Sequence, residues 1–141
     1  MAELRHQIPI NASPEKVFAA LATETGLKGW WTADTKAEDK VGGKAEFGFD
    51  DRGMVFRMKI EKLEPAKEVV WTCHGDQPEW DGTRLIWTIS RQDAVTMLRF
   101  VQGGWKCMSE MYALCNSTWG ELMYRLKAYV ESGRPDPHWR K

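Results

Sequence analysis

The sequence lacks a surplus of charge. Twenty Lys and Arg stand against twenty Asp and Glu, giving a formal net charge of zero at pH 7. A balanced chain has no basic excess with which to hold nucleic acid or an anionic membrane surface, so neither is expected as a partner. It also lacks an apolar run long enough to cross a bilayer. The opening residues, Met1 to His6, do not follow the basic-then-apolar order of a secretory signal, which points to the cytoplasm. Cysteine is scarce, with only Cys73, Cys107 and Cys115. An odd, sparse set argues for reduced thiols, not a disulfide framework. No pair has zinc-knuckle spacing. Cys73 and His74 are adjacent on an expected strand and point to opposite faces, so no metal is expected. A Ser-His-Asp set, a phosphate loop and a dinucleotide fingerprint are all missing, so no cofactor and no catalytic residue is assigned.

Tryptophan, by contrast, is abundant. Eight of the 141 residues are Trp, more than one small core requires. Some of these rings are expected to line or cover a space. The length, with 43% hydrophobic and 28% charged residues, fits one globular domain over residues 1–141.

Period-two alternation marks strands at 3–10, 44–49 and 54–63. A further strand at 68–74 centres on Val69-Val70-Trp71, and residues 83–90 and 94–102 read as a hairpin turning across residues 91–93. Ser13-Pro14-Glu15 reads as a helix start, with Val17, Phe18 and Leu21 on its apolar stripe and Gly26 as its stop. Leu27, Trp30 and Trp31 fit a short second helix. Residues 34–43 read as loop. After Gly103-Gly104 the period lengthens. Met108, Met111 or Tyr112, Cys115, Trp119, Leu122, Leu126 and Val130 form one stripe of a long helix over about 108–132, stopped by Gly133. The order predicts an α+β fold: six or seven antiparallel strands curving around that helix, with a cavity between them.

Several pieces of the chain carry a family resemblance. They are Ile10-Asn11-Ala12-Ser13-Pro14-Glu15-Lys16-Val17-Phe18, Trp30-Trp31 followed by Val41-Gly42-Gly43 and Phe47, and Leu63-Glu64-Pro65 leading to Val69-Val70-Trp71-Thr72. Thr96-Met97-Leu98-Arg99-Phe100 and Trp119-Gly120-Glu121-Leu122 leading to Glu131-Ser132-Gly133 complete the set. In this order they resemble the START-like (SRPBCC) superfamily and, within it, the branch named after the activator of the 90-kDa heat-shock-protein ATPase. The resemblance covers nearly the whole chain. It implies the helix-grip fold, a curved antiparallel sheet wrapped around a long C-terminal helix. It implies functions ranging from small-molecule carriage through cyclase chemistry to chaperone partnership, so function has to be argued from the site. The chain departs from many relatives at Gln102-Gly103-Gly104-Trp105, where they carry a His- or Glu-containing stretch.

The expected site is a cavity lined by Trp30, Trp31, Phe47, Phe49, Phe56, Met58, Trp71, Trp87, Phe100, Met111, Cys115, Trp119 and Met123. Trp30 or Trp31 is expected to cover its mouth, with Trp119 packing from the helix side. The leading expectation is binding of a small hydrophobic or amphipathic molecule. A polyketide cyclase- or dehydrase-type enzyme would use the same cavity with His74 or His6 as acid-base. A third class is an interaction module acting on a chaperone or similar protein partner; a homodimer is left open. Arg57 would anchor an anionic head group only if its strand face turned inward.

Overall fold

The computed structural model describes residues 2–75 and 77–141. The chain runs β1 (Ala2–Ile10), α1 (Pro14–Ala22), α2 (Glu24–Trp30), β2 (Asp34–Ala37), β3 (Lys44–Phe49), β4 (Met54–Glu64), β5 (Glu68–His74), β6 (Arg84–Gln92), β7 (Val95–Trp105) and α3 (Glu110–Ser132). The seven strands form one curved sheet in the order β1-β7-β6-β5-β4-β3-β2, with every neighbouring pair antiparallel. This is the helix-grip arrangement. The alternation in the sequence has a direct structural counterpart. Leu4, Ile8 and Ile10 of β1, and Phe56, Met58 and Ile60 of β4, are buried, while Arg57, Lys59 and Glu61 face solvent.

The helix boundaries follow local chemistry. The Ser13 hydroxyl accepts from the Lys16 amide, with Pro14 in the first turn, and starts α1. The Ser109 hydroxyl accepts from the Tyr112 amide and starts α3; Gly133, at φ 76°, closes it in the left-handed conformation.

The structure differs from the sequence reading in four places. Gly26 does not end α1. Thr23 does, and its hydroxyl then caps α2 by accepting from the Gly26 amide. Gly26 lies inside α2 because the two helices meet there. A Cβ at this position would sit 2.4 Å from the Ala19 carbonyl oxygen. Residues 34–37 are a strand, not loop. β2 is short, polar and at the sheet edge, so it shows no alternation, yet it pairs with β3 from Asp34↔Gly48 to Ala37↔Ala45. β6 extends to Gln92 and β7 begins at Val95, leaving Asp93-Ala94 as a two-residue turn with Asp93 at φ 54°. Finally, β7 continues through Gly103-Gly104 to Trp105, pairing with β1.

Candidate binding pocket

A cavity of about 270 Å³ opens between the N-terminal part of α3 and the β3–β4 end of the sheet. Helix α3 supplies Met111, Leu114, Cys115, Thr118, Trp119 and Leu122 at i, i+3, i+4 spacing, so they share one face. The strands and their connecting turn supply Phe49, Asp50, Met54 and Phe56. Trp31, Trp80 and Trp139 complete the lining from three separate places in the chain.

The rings form a continuous array. Phe56 stacks on Trp80 at 4.0 Å between centroids, and Trp80 lies 6.0 Å from Trp119 at an interplanar angle of 22°. Trp31 stacks on Phe47 at 4.1 Å and reaches Trp119 at 5.1 Å. Trp139 meets Phe49 edge-on at 4.7 Å. Such offset and edge-to-face pairs are the favoured geometries for aromatic side chains.

Six of the thirteen residues expected from the sequence line this pocket: Trp31, Phe49, Phe56, Met111, Cys115 and Trp119. The other seven, Trp30, Phe47, Met58, Trp71, Trp87, Phe100 and Met123, lie behind that layer in the packed core. Trp30 is fully buried, and its indole N–H donates to the Ala20 carbonyl at 2.9 Å. Neither member of the Trp30-Trp31 pair acts as a lid. Trp31, 1% exposed, forms the inner wall, and the rim falls to the exposed Met54 and Leu114. Adjacent residues at the end of a helix cannot both face the same space, which is why only one of the pair reaches it.

A buried polar chain holds the back of the pocket in place. The Trp119 indole N–H donates to Gln102 Oε1 at 3.0 Å. Gln102 Nε2 donates to Thr83 Oγ1 at 3.0 Å, and the Thr83 hydroxyl donates to the Trp80 carbonyl at 2.7 Å. Gln102, conspicuous in the sequence only as a departure from relatives, thus orients Trp119 and the loop that carries Trp80. The Trp80 N–H points to Cys115 Sγ at 3.4 Å. Burial above all pushes the Cys115 thiol pKa up, and burial followed by the charge of Asp81 pushes Cys73 up to about 12. Both thiols are therefore neutral and poor nucleophiles at physiological pH.

Trp139 reaches the pocket on a C-terminal strap that no periodicity announced. The Asp136, His138 and Trp139 amides donate to the carbonyls of Gly29, Trp30 and Trp31, and the Ala33 amide donates to the Trp139 carbonyl at 2.8 Å. Thr32 and Trp139 form an isolated parallel bridge. Side chains add to this backbone zipper. His138 Nε2 and Glu121 Oε2 are 2.9 Å apart, and Arg125 Nη1 donates to the Asp136 carbonyl at 2.9 Å. The hydrogen bond with His138, supported by Arg125, holds the Glu121 carboxyl below its ordinary pKa.

The turn between β3 and β4 brings Asp50 to the mouth. Asp50, Asp51 and Arg52 all have positive φ, at 51°, 55° and 67°. Asp tolerates this region; Arg seldom does. Arg52 is held there by its guanidinium, which donates to both Asp34 carboxylate oxygens at 2.9 Å and also pairs with Glu46.

The histidines assigned to the enzyme alternative are elsewhere. His6 is half-buried, with Nε2 at 2.9 Å from Asn116 Oδ1. His74 is exposed on β5, opposite Arg57 of β4. Neither lines the pocket. Arg57 faces solvent 4.0 Å from Glu46, so the inward anchor considered from the sequence is not formed. Among the described residues no group of three His, Cys, Asp or Glu side chains could hold a metal. Among the described residues no helix is long and apolar enough to cross a membrane.

The family described as Activator of Hsp90 ATPase homolog 1-like protein matches residues 11–131. Among solved structures, the Aha1 dimer of Colwellia psychrerythraea is 35% identical, with a TM-score of 0.86 over 94% of this chain and 98% of that one. A Mesorhizobium loti protein is 22% identical, with a TM-score of 0.80 over 92% and 96% of the two chains. A Chromobacterium violaceum protein is 20% identical, with a TM-score of 0.76 over 96% and 100%. The last two are similar in fold alone. No curated protein matches the chain in sequence.

Proposed function

This chain belongs to the Activator of Hsp90 ATPase homolog 1-like family, and within it we propose that the chain binds a small, largely apolar molecule in the pocket between α3 and the β3–β4 end of the sheet. The observation that carries this reading is the aromatic lining: Trp31, Phe49, Phe56, Trp80, Trp119 and Trp139 surround about 270 Å³ of space. Small-molecule pockets run from roughly 300 to 1,000 Å³. This one lies just below that range, which suits a one- or two-ring molecule better than a long-chain lipid. Binding is favoured over catalysis because the lining offers only Asp50 and a neutral thiol as titratable groups. The three free cysteines suit a reducing, cytoplasmic setting.

The test is titration with the neutral two-ring fluorescent probe 1-naphthylamine. Saturable binding with one probe per chain is expected. Thr118→Trp, which places a large ring in the opening from a half-exposed helix position, should abolish it while the far-ultraviolet circular dichroism and melting temperature are retained. No binding by the parent chain, or equal binding by a folded Thr118→Trp, would sink the reading.

A second reading, an interaction module, is supported by exposed apolar side chains. Met54 and Leu114 lie at the pocket rim, and Met108 lies just before α3. The Colwellia relative is a dimer. On this reading the rim is where a second copy or a protein partner covers the pocket.

A further inference from the structure

We infer that the pocket selects organic cations: an amine or quaternary ammonium group carried on an aromatic or apolar body. This rests on the binding reading above and specifies its ligand. Two observations carry it. First, Asp50 is the only residue of the lining that bears a charge; no Lys, Arg or His is among them. Among the described residues Asp50 has no ion pair, and its side chain makes no hydrogen bond, so its carboxylate is free to serve a ligand. Second, the surfaces beneath it are aromatic. A cation within about 6 Å of an indole or phenyl face is attracted by the ring quadrupole, whereas an anion is not. Four indoles and two phenyl rings line the space, and the exposed Asp50 of the β3–β4 turn borders it.

The charges beyond the pocket do not reverse this. The neighbouring depression shares Asp50 and Trp139 and adds Asp51, His138, Arg140 and Lys141. Arg140 is engaged by Asp136, and His138 is within hydrogen-bonding distance of Glu121. That leaves one cation of the depression, Lys141, to be set against two carboxylates, Asp50 and Asp51. Asp50 sits in the positive-φ turn described above, whose Arg52 is tied to Asp34.

Three probes of equal shape separate the possibilities: naphthylmethylammonium, naphthylmethanol and naphthoate, titrated calorimetrically at neutral pH and low salt. The ammonium should bind about tenfold more tightly than the alcohol, and the carboxylate more weakly than either. In Asp50→Asn the ratio of ammonium to alcohol affinity should fall to about one. Asn tolerates positive φ as Asp does, so the turn is kept. Asp51→Asn should retain most of the ratio. Equal affinities for ammonium and alcohol in the parent chain, or an unchanged ratio in Asp50→Asn, would overturn the inference while leaving the pocket reading intact. If none of the three binds, the pocket reading itself falls with it.

Discussion

The two halves of α3 read alike in the sequence and behave differently in the fold. Toward its C-terminus, Met123 and Leu126 are buried, and Tyr129 packs directly on Gly29 of α2. Toward its N-terminus, Met111 and Thr118 are only half-buried, Leu114 is 64% exposed, and their face borders the cavity. The sheet accompanies the helix along both halves. What differs is the α1–α2 pair, which covers the first region and stops short of the second. A curved sheet and a straight helix leave space between them. Where a second helical layer fills that space the result is core, and where it does not the result is a pocket.

That contrast can be broken by substitution. Leu126→Ala in the filled half should cost about 2–5 kcal/mol through lost burial and a residual cavity. Leu114→Ala in the open half should stay within about 0.5 kcal/mol. Denaturant unfolding of both variants is the measurement, and equal losses would mean that the open half is as tightly packed as the other. A smaller effect sharpens the role of α2. A Cβ on Gly29 would lie 2.4 Å from the Tyr129 ring, so Gly29→Ala should destabilise by about 1–3 kcal/mol by overpacking. In the Tyr129→Ala background it should do so far less, and an additive double mutant would argue against the contact.

The smallest effect concerns the strap. Glu121 is held below its ordinary pKa, foremost by its hydrogen bond with His138. A carboxylate depressed in this way contributes stability that is present above its unfolded pKa and lost as pH falls through the folded one. The strap should therefore hold from neutrality down to the ordinary carboxylate range and loosen below it. The Trp139 indole resonance reports this by NMR, and Glu121→Gln should flatten the response.

Most strands were legible because they alternate over six residues or more, β5 because it centres on the apolar run Val69-Val70-Trp71, and the long helix because its stripe spans several turns. β2 was not, since four edge residues, three of them polar, carry no period. For the site, alternation identified the inward face but not the depth. Phe47 and Phe49 sit on the same face of β3, yet Phe47 is core and Phe49 lines the pocket. Trp80 and Trp139 were missed for a different reason. Each lies in an irregular segment after a proline, where periodicity says nothing. They are brought to the pocket by contacts distant in sequence: Trp80 by the Thr83–Gln102 chain, Trp139 by backbone pairing with residues 31–33. Gln102 was visible as an oddity, but its role needs the geometry of Trp119.

Because Trp139 is both a wall of the pocket and part of the strap, occupancy of one and docking of the other are linked equilibria. A ligand that touches the indole binds only molecules whose strap is docked, so it raises the docked fraction. By reciprocity, anything that keeps the strap docked tightens the ligand by the same factor. A fusion, affinity tag or proteolytic cut placed near residues 136–139 is thus an effector in the thermodynamic sense, and an affinity measured on a C-terminally altered chain belongs to a different pocket from the one described by Phe49, Asp50 and Trp139.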